Sequence, residues 1–425
     1  MIDLNARLII ERLGARGEGI SRGSEGLIFT PYALPGETVL AEVDGERAKL
    51  VEVLDASPDR IAPVCPHFTF CGGCAVQNLA PEAYAGWKRG LVVEALRNAG
   101  IEAEVAPLRE AWGAGRRRAS FHSRNDQRGN PHVGFMEARS HRIFELDACP
   151  ILAPDLAGAL AAANGAAEVL AALEKPLDLV VTASVNGLDL DIRGCGKLEF
   201  ERDQALIALA QRLDLARLSN HGAVLIERRP PEIRMGVARV NPPPGAFLQA
   251  TEAGEAALAA LALEGVGGAK KVADLFAGVG TFALRLAEKA EVHAVENHIE
   301  ALDAGLRAGR GAPGLRRLTG EARDLFTRPL LASELNAFDA VVFDPPRAGA
   351  ERQARELAKS TVAALVGVSC NAQTFARDAK ILIAGGYVLQ SVTPVDQFLY
   401  SPHVELVGVF SKPPAKAARK RRLLG

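Results

Sequence analysis

The sequence predicts a multidomain fold: a small N-terminal β-barrel of the oligonucleotide-binding (OB) kind, a central α+β domain with a cysteine-rich loop, and a C-terminal α/β domain on a parallel sheet. Three observations carry this. Residues 3–55 break into short β-like runs separated by Gly-rich or Pro-Gly punctuation. Residues 57–80 are dense in Pro, Cys and Gly and open a stretch where β-like runs mix with Ala-rich helix. From Thr251 onward, apolar strand-like runs alternate with helical ones, the pattern of a parallel sheet with helices on both faces. A chain of 425 residues exceeds one ordinary core. The expected boundaries are 1–56 for the barrel, 57–240 for the central domain, 241–412 for the last domain and 413–425 for a basic tail.

In the barrel the predicted strands are 7–11, 26–29, 37–43 and 48–54, with Gly14, Gly17, Gly19, Gly23 and Gly36 in the turns. A helix is predicted over 81–99, where Ala83, Trp87, Leu91 and Ala95 recur every four residues and share a face. The central stretch offers β-like runs at 177–185, 188–192 and 222–227, and Asn241-Pro-Pro-Pro244 marks entry to the last domain. There the predicted strands are 271–276, 291–296, 338–344 and 363–369, with a helix over 281–289 and a closing antiparallel hairpin of 387–392 and 404–410.

Net charge is -1, so the molecule as a whole does not attract polyanions, but the charge is unevenly placed. Residues 1–55 hold ten acidic and six basic side chains, a net of -4, which speaks against a barrel that clamps phosphates by charge. Residues 109–142 hold eight Arg against Glu110, Asp126 and Glu137, a net of +5, and Lys416, Arg419, Lys420, Arg421 and Arg422 make the tail basic. Local patches of this kind suit a nucleic-acid partner. The start of the chain lacks a basic segment leading into an apolar one, and the Ala/Leu-rich stretch 151–173 is interrupted by Pro154, Asp155, Asn164 and Glu168. A cytoplasmic protein with no membrane span and no obligate protein partner is therefore expected.

The chemistry-bearing motifs cluster toward the C-terminus. In Asp274-Leu-Phe-Ala-Gly-Val-Gly-Thr-Phe282 an apolar strand ends in Gly278-Val-Gly280 and runs into a helix, a Rossmann-like cradle whose glycines let backbone approach a ligand. Glu296, at the end of the next strand and 22 residues beyond Asp274, suits the ribose hydroxyls of a nucleoside cofactor. The turn alone leaves a dinucleotide open; with Asp344-Pro-Pro-Arg347 on a later strand end, S-adenosylmethionine is the better reading. The two prolines make a rigid turn that aims Asp344 at a flat substrate. Cys370, in Ser369-Cys-Asn371, follows a strand at the edge where open α/β sheets bind ligands, and Glu405 follows His403-Val404. A methyl donor, a platform for a base, a thiol and a carboxylate are what pyrimidine C5 methylation needs. The thiolate adds at C6 to make C5 nucleophilic, and a base later removes the C5 proton.

Cys65-x5-Cys71-x2-Cys74 and the remote Cys149, followed by Pro150, make a four-thiolate set suited to a [4Fe–4S] cluster or to zinc, and the spacing favours iron–sulfur. Cys195 has no evident partner.

Taken together these residues resemble the RNA 5-methyluridine methyltransferases, and among them the 23S rRNA uracil-C5 group with an N-terminal TRAM domain and an iron–sulfur cluster. The resemblance spans nearly the whole chain in order: barrel, Cys-rich loop, Arg-rich segment, donor loop, Asp-Pro-Pro-Arg, Ser-Cys-Asn, His-Val-Glu. It implies that Cys65, Cys71, Cys74 and Cys149 hold a [4Fe–4S] cluster. It implies that Gln249, Phe276, Glu296 and Asp344 line the S-adenosylmethionine and uridine site, with Cys370 the nucleophile and Glu405 the proton acceptor. Ala277, Ala372 and Thr281 stand where relatives often carry Cys, Pro and Asn. The alternatives are a tRNA substrate in place of rRNA, an exocyclic-amine methyltransferase, which needs no thiolate, and a non-catalytic RNA-binding iron–sulfur protein.

Overall fold

Among the described residues, three sheets and one small hairpin account for the strands. The computed structural model describes residues 3–24 and 26–413; the Lys/Arg positions of the tail lie outside them. The N-terminal sheet has six strands in the order Asp3–Ile9, Thr38–Asp44, Arg47–Asp55, Leu27–Pro31, Glu18–Arg22, Arg12–Leu13. The two end strands are joined by Ile10 and Glu11, whose N–H groups bond to Glu37 O (2.9 Å) and Ile20 O (2.8 Å) respectively, so the sheet curls around Leu8, Ile10, Ile28, Val39 and Ala41. Sequence reading missed Glu18–Arg22 because Gly19 looked like a turn. Gly19 is instead a close approach: a Cβ there would sit 2.7 Å from the Ala33 carbonyl.

The central sheet has seven strands, in the order Ile143–Glu145, Pro131–Met136, Arg118–Asn125, Leu177–Ser184, Gly187–Arg193, Arg217–Asn220, Ala223–Glu227. Helices Ala159–Leu170 and Phe200–Arg212 cover it. The apolar stretch that includes the first of these passes a length-and-composition test for a membrane span over Pro154–Leu173. Its α-helical part is only 12 residues, entered through Gly158 at φ 85°, and its Ala162, Ala163, Ala166 and Leu170 are buried against the sheet. It is a core helix of this layer.

The C-terminal sheet positions the site. Its order is Leu318–Ala322, Glu291–Glu296, Lys271–Leu275, Ala340–Phe343, Ala364–Ser369, Glu405–Ser411, Val388–Asp396, Arg109–Glu110. The first five strands are parallel; the inner three, Lys271–Leu275, Ala340–Phe343 and Ala364–Ser369, are largely apolar and buried, as strands covered on both faces must be, and the next two strands form the predicted antiparallel hairpin. From Lys271–Leu275 the chain builds outward to one side through two strands, then returns to build the other side from Ala340–Phe343. Open α/β sheets bind ligands at such a reversal.

Two pieces from the middle of the sequence join this layer. Arg109–Glu110 pairs with the strand Val388–Asp396, and the predicted helix, found at Pro81–Asn98, packs Val92 and Leu96 into the same core. That helix also buries a charge. Lys88 Nζ lies 2.9 Å from Asp396 Oδ1, with both side chains fully buried, and it donates to the carbonyls of Phe398 (3.3 Å) and His403. Tyr84 Oη donates to the other Asp396 oxygen at 2.5 Å. Burial lowers the Lys88 pKa and Asp396 opposes that shift. The pair thus fixes the loop between the hairpin strands, which carries His403 and leads into Glu405. Removing one partner of a buried pair strands the other, so Asp396→Ala should cost about 3–5 kcal/mol in urea unfolding. A loss under about 1 kcal/mol would mean that the pair contributes little.

Candidate active site

The strand Lys271–Leu275 delivers Asp274 and Phe276 to the reversal point of the sheet. Phe276 takes φ 62°, a left-handed conformation that costs a β-carbon residue about 1–3 kcal/mol. Gly278 (φ 56°) and Gly280 (φ 96°) follow, and a Cβ on Gly278 would meet nothing within 4 Å, so this face of the loop is open to a ligand. On the other side Gly305 of the helix Ile299–Gly311 lies so close that its Cβ would sit 2.7 Å from the Val279 carbonyl, which pins the loop. Glu296 accepts the backbone N–H groups of Gly278, Asn297 and His298, each at 2.9 Å. Asp274 is fully buried beneath, and neither carboxyl oxygen has a hydrogen-bond partner; burial raises its pKa well above the carboxylate range. The Phe276 and Phe326 rings, 5.5 Å apart and tilted by 55°, add an aromatic wall. An open glycine turn, a carboxylate at the next strand end and paired aromatic rings fit an adenosine-based donor.

A cavity of about 960 Å³ opens over this loop. Gln249, Phe276, Glu296, Asp344, Cys370 and Glu405 all line it, so the six residues singled out from the sequence, drawn from 249 to 405, meet in one space.

Cys370 sits where the strand Ala364–Ser369 gives way to the helix Ala372–Ala384. Its neighbours are structural: Asn371 caps that helix, accepting from Gln373 N (2.9 Å) and Thr374 N (3.3 Å), and Ser369 Oγ accepts from Asn371 N at 3.1 Å. Glu405 opens the antiparallel strand beside Ala364–Ser369 and is only 3 % exposed. A line of amides joins the carboxyls of Asp344 and Glu405. Gln249 Nε2 donates to Asp344 Oδ2 (3.1 Å), and Gln397 Nε2 donates both to Gln249 Oε1 (2.6 Å) and to Glu405 Oε1 (3.2 Å). Arg117 Nε holds the Gln249 carbonyl at 3.0 Å while its other end pairs with buried Glu255.

Charge in this space is expensive. Burial pushes Asp344 up to about 7, eased by Gln249. Burial, then the charge of Asp344, pushes Glu405 up to about 8, with Gln397, Arg347 and Lys88 pulling the other way. The Cys370 thiol rises to about 11 through burial and then through the charges of Glu405 and Asp344, opposed by Arg347. Arg347 Nη2 also lies 3.2 Å from His403 Nε2, and burial, then the cations around it, depresses His403 to about 4, so His403 is a neutral ring near pH 7. Sequence reading did not find Gln397, Lys88 or Arg117. A Gln after a strand end carries no periodicity, and the partners of Lys88 and Arg117 lie more than a hundred residues away.

The expected metal site is corrected. Among the described residues no group of three or more His, Cys, Asp or Glu side chains is placed to hold a metal ion, and Cys65, Cys71, Cys74 and Cys149 are free thiols, so the [4Fe–4S] cluster is not supported. Burial raises the thiol pKa of Cys71 and Cys149 and takes that of Cys74 to about 11. The nearby groups are otherwise engaged: Gln77 accepts from Cys65 N at 3.0 Å, and His67 pairs with Asp147 at 2.7 Å. Spacing along the chain predicted four thiols in one region, and they do feel one another's charge, but spacing alone does not set the geometry that a metal ion requires.

Comparison with known proteins follows the same lines. Residues 322–413 match the family model described as tRNA (Uracil-5-)-methyltransferase. A protein of Brucella suis biovar 1, described as an RNA methyltransferase, is 48% identical over 406 residues, covering 96% of this chain and 98% of its own. The 23S rRNA (uracil(1939)-C(5))-methyltransferase RlmD of Halomonas elongata is 35% identical over 435 residues, covering 96% and 89%. The solved Pyrococcus abyssi tRNA (uracil-54, C5)-methyltransferase in complex with S-adenosyl-L-homocysteine shares the fold, with TM-score 0.72 at 22% identity over 95% of this chain and 99% of that one.

The raised Glu405 carboxyl makes a stability prediction. The folded chain holds this proton to about pH 8 and the unfolded chain only to its ordinary value of 4.5, so the stability linked to it is complete below about 4.5 and lost as pH rises through 8. Glu405→Gln, which never ionises, escapes that loss. Its melting temperature should exceed that of the native enzyme by a margin that widens from pH 5 to pH 8; a constant margin would contradict the assignment.

Proposed function

The chain belongs to the RNA uracil-C5 methyltransferase family, and from that premise we propose that its cavity methylates C5 of an RNA uridine through a transient bond from Cys370 Sγ to uridine C6. The observation that carries this is the meeting of Cys370, Glu405, Asp344 and Gln249 in the cavity over the glycine loop. An exocyclic-amine methyltransferase has no use for that thiol beside a buried carboxyl.

S-adenosylmethionine, when bound, supplies the methyl group on a positively charged sulfur. Glu296, Phe276 and the Gly278 turn would hold its nucleoside end. Burial first, and for Cys370 and Glu405 then the neighbouring carboxyls, holds Cys370, Asp344 and Glu405 protonated; a cation bound in the cradle would favour the Cys370 thiolate, its proton passing to solvent. Cys370 Sγ then bonds to C6 of a uridine turned out of its stack, and the electron pair displaced from C5=C6 spreads onto O4. Once C5 carries the methyl group, Glu405 as carboxylate takes the C5 proton. The C–H pair reforms C5=C6, the C6–S bond breaks, and Cys370 leaves as thiolate.

On substrate class, the support leans to the reading placed second from sequence, a tRNA uridine. The family model carries that description, and the whole chain shares the fold of an enzyme acting on tRNA. A 23S rRNA uridine is the second reading, favoured by the likeness to the Halomonas elongata enzyme.

RNA containing 5-fluorouridine, incubated with the enzyme and donor, should trap a covalent complex whose cross-linked peptide contains Cys370, because fluorine at C5 cannot leave as a proton. Cys370→Ala should form no complex while still binding donor in a calorimetric titration. A complex that persists in Cys370→Ala would overturn the scheme. Mapping 5-methyluridine in tRNA and rRNA from cells with and without the gene separates the substrates: loss from tRNA supports the first reading and loss from 23S rRNA the second.

A further inference from the structure

We propose that Gln397 is a positioning residue that holds Glu405 for removal of the C5 proton; this rests on the uridine-C5 reading above. Gln397 lies in the loop that follows the strand Val388–Asp396, is 1 % exposed, and has its amide orientation fixed by groups that can only donate. Its Oε1 accepts from the backbone N–H groups of Ala250 (2.8 Å) and Thr251 (3.4 Å). Nε2 is therefore the donor end, and its two hydrogens serve Gln249 Oε1 at 2.6 Å and Glu405 Oε1 at 3.2 Å. The first bond fixes Gln249 in turn, whose Nε2 must point at Asp344 Oδ2, 3.1 Å away. Direction thus passes from two backbone amides to both cavity carboxyls without ambiguity.

The consequence is geometric. Glu405 Oε1 is occupied by an N–H, which leaves Oε2 to receive hydrogen from carbon, and Gln397 does not itself touch the reacting atoms. It also means that Glu405 gains a donor favouring its carboxylate form, the form that can accept a proton. The charged and titratable groups around that carboxyl are Asp344 and Arg347 from the Asp-Pro-Pro-Arg turn, Cys370 from the neighbouring strand end, and Lys88 from the helix Pro81–Asn98. Of the groups that favour the ionised form, Gln397 is the one hydrogen-bonded to it.

Two substitutions remove the donor by different means. Gln397→Met keeps the length without polar atoms, and Gln397→Glu keeps an acceptor for Ala250 and Thr251 but offers no N–H to Glu405. The elimination step should slow in both, so with ordinary uridine RNA and donor a denaturant-stable protein–RNA complex builds up that the native enzyme does not accumulate. Turnover should fall about tenfold or more, with donor affinity held within about threefold. In Gln397→Met the pH–rate profile should also shift to higher pH. Variants that turn over with native rate and profile and show no accumulated complex would overturn the proposal. Failure of both to fold would overturn it as well, by showing the amide to be a structural tie. If the native enzyme itself forms no Cys370 adduct with 5-fluorouridine RNA, the uridine-C5 reading fails first, and the two failures are told apart.

Discussion

The carboxyls of Asp344 and Glu405 and the thiol of Cys370 share one cavity, and much of the surrounding structure answers that electrostatic crowding. Asp344, Glu405 and Cys370 are each pushed toward their neutral forms by burial, and each ionised neighbour makes the next ionisation harder. Neighbouring groups oppose these shifts in part. The compensation is specific: Arg347 from the turn, the amides of Gln249 and Gln397 aimed at the two carboxyls, and the ammonium of Lys88 one layer behind. On the proposed reading a cationic donor in the adjoining cradle would add to that compensation, and ionisation of the thiol would follow donor binding.

The fold exists in this form because that balance must be assembled from distant segments. The reversal of strand order puts the ends of Lys271–Leu275 and Ala340–Phe343 side by side, bringing the glycine loop next to the Asp-Pro-Pro turn. The antiparallel return of Glu405–Ser411 beside Ala364–Ser369 carries Glu405 to the end of the sheet where Cys370 emerges. The loop that makes this return is pinned from outside the sheet by Lys88, so the buried pair with Asp396 links the helix after the cysteine-rich loop to the catalytic end of the chain. Gln249, held by Arg117 from the central sheet, brings a third part of the chain to the same place.

Much of this was legible in the sequence. Apolar runs bounded by Gly and Pro located the parallel strands, and strand-end motifs located Glu296, Asp344 and Cys370, because parallel sheets put their strand ends in one place; Glu405 starts an antiparallel strand that returns to the same edge. The residues that tune the site were not legible. Gln397 and Lys88 act through contacts with partners 148 and 308 positions away, and neither lies in a pattern that marks it. The cysteines show the opposite error. Their spacing suggested a ligand set, but ligation depends on where side chains converge and on whether thiols can ionise, and neither is written in the interval between residues. Gly19 misled in a smaller way: it serves a close backbone approach within a strand, where its conformational freedom suggested a turn.

The central claim is that the thiol adds to C6 of the uracil ring while donor and carboxyl act in turn on the adjoining C5. RNA labelled with tritium at uridine C5 tests it directly, since every methyl group added there must displace one hydrogen. With donor present, the account predicts tritium released to water in a one-to-one ratio with methyl incorporated, and release that depends on Cys370 and Glu405 alike. Methyl incorporation with the tritium retained in RNA would contradict it.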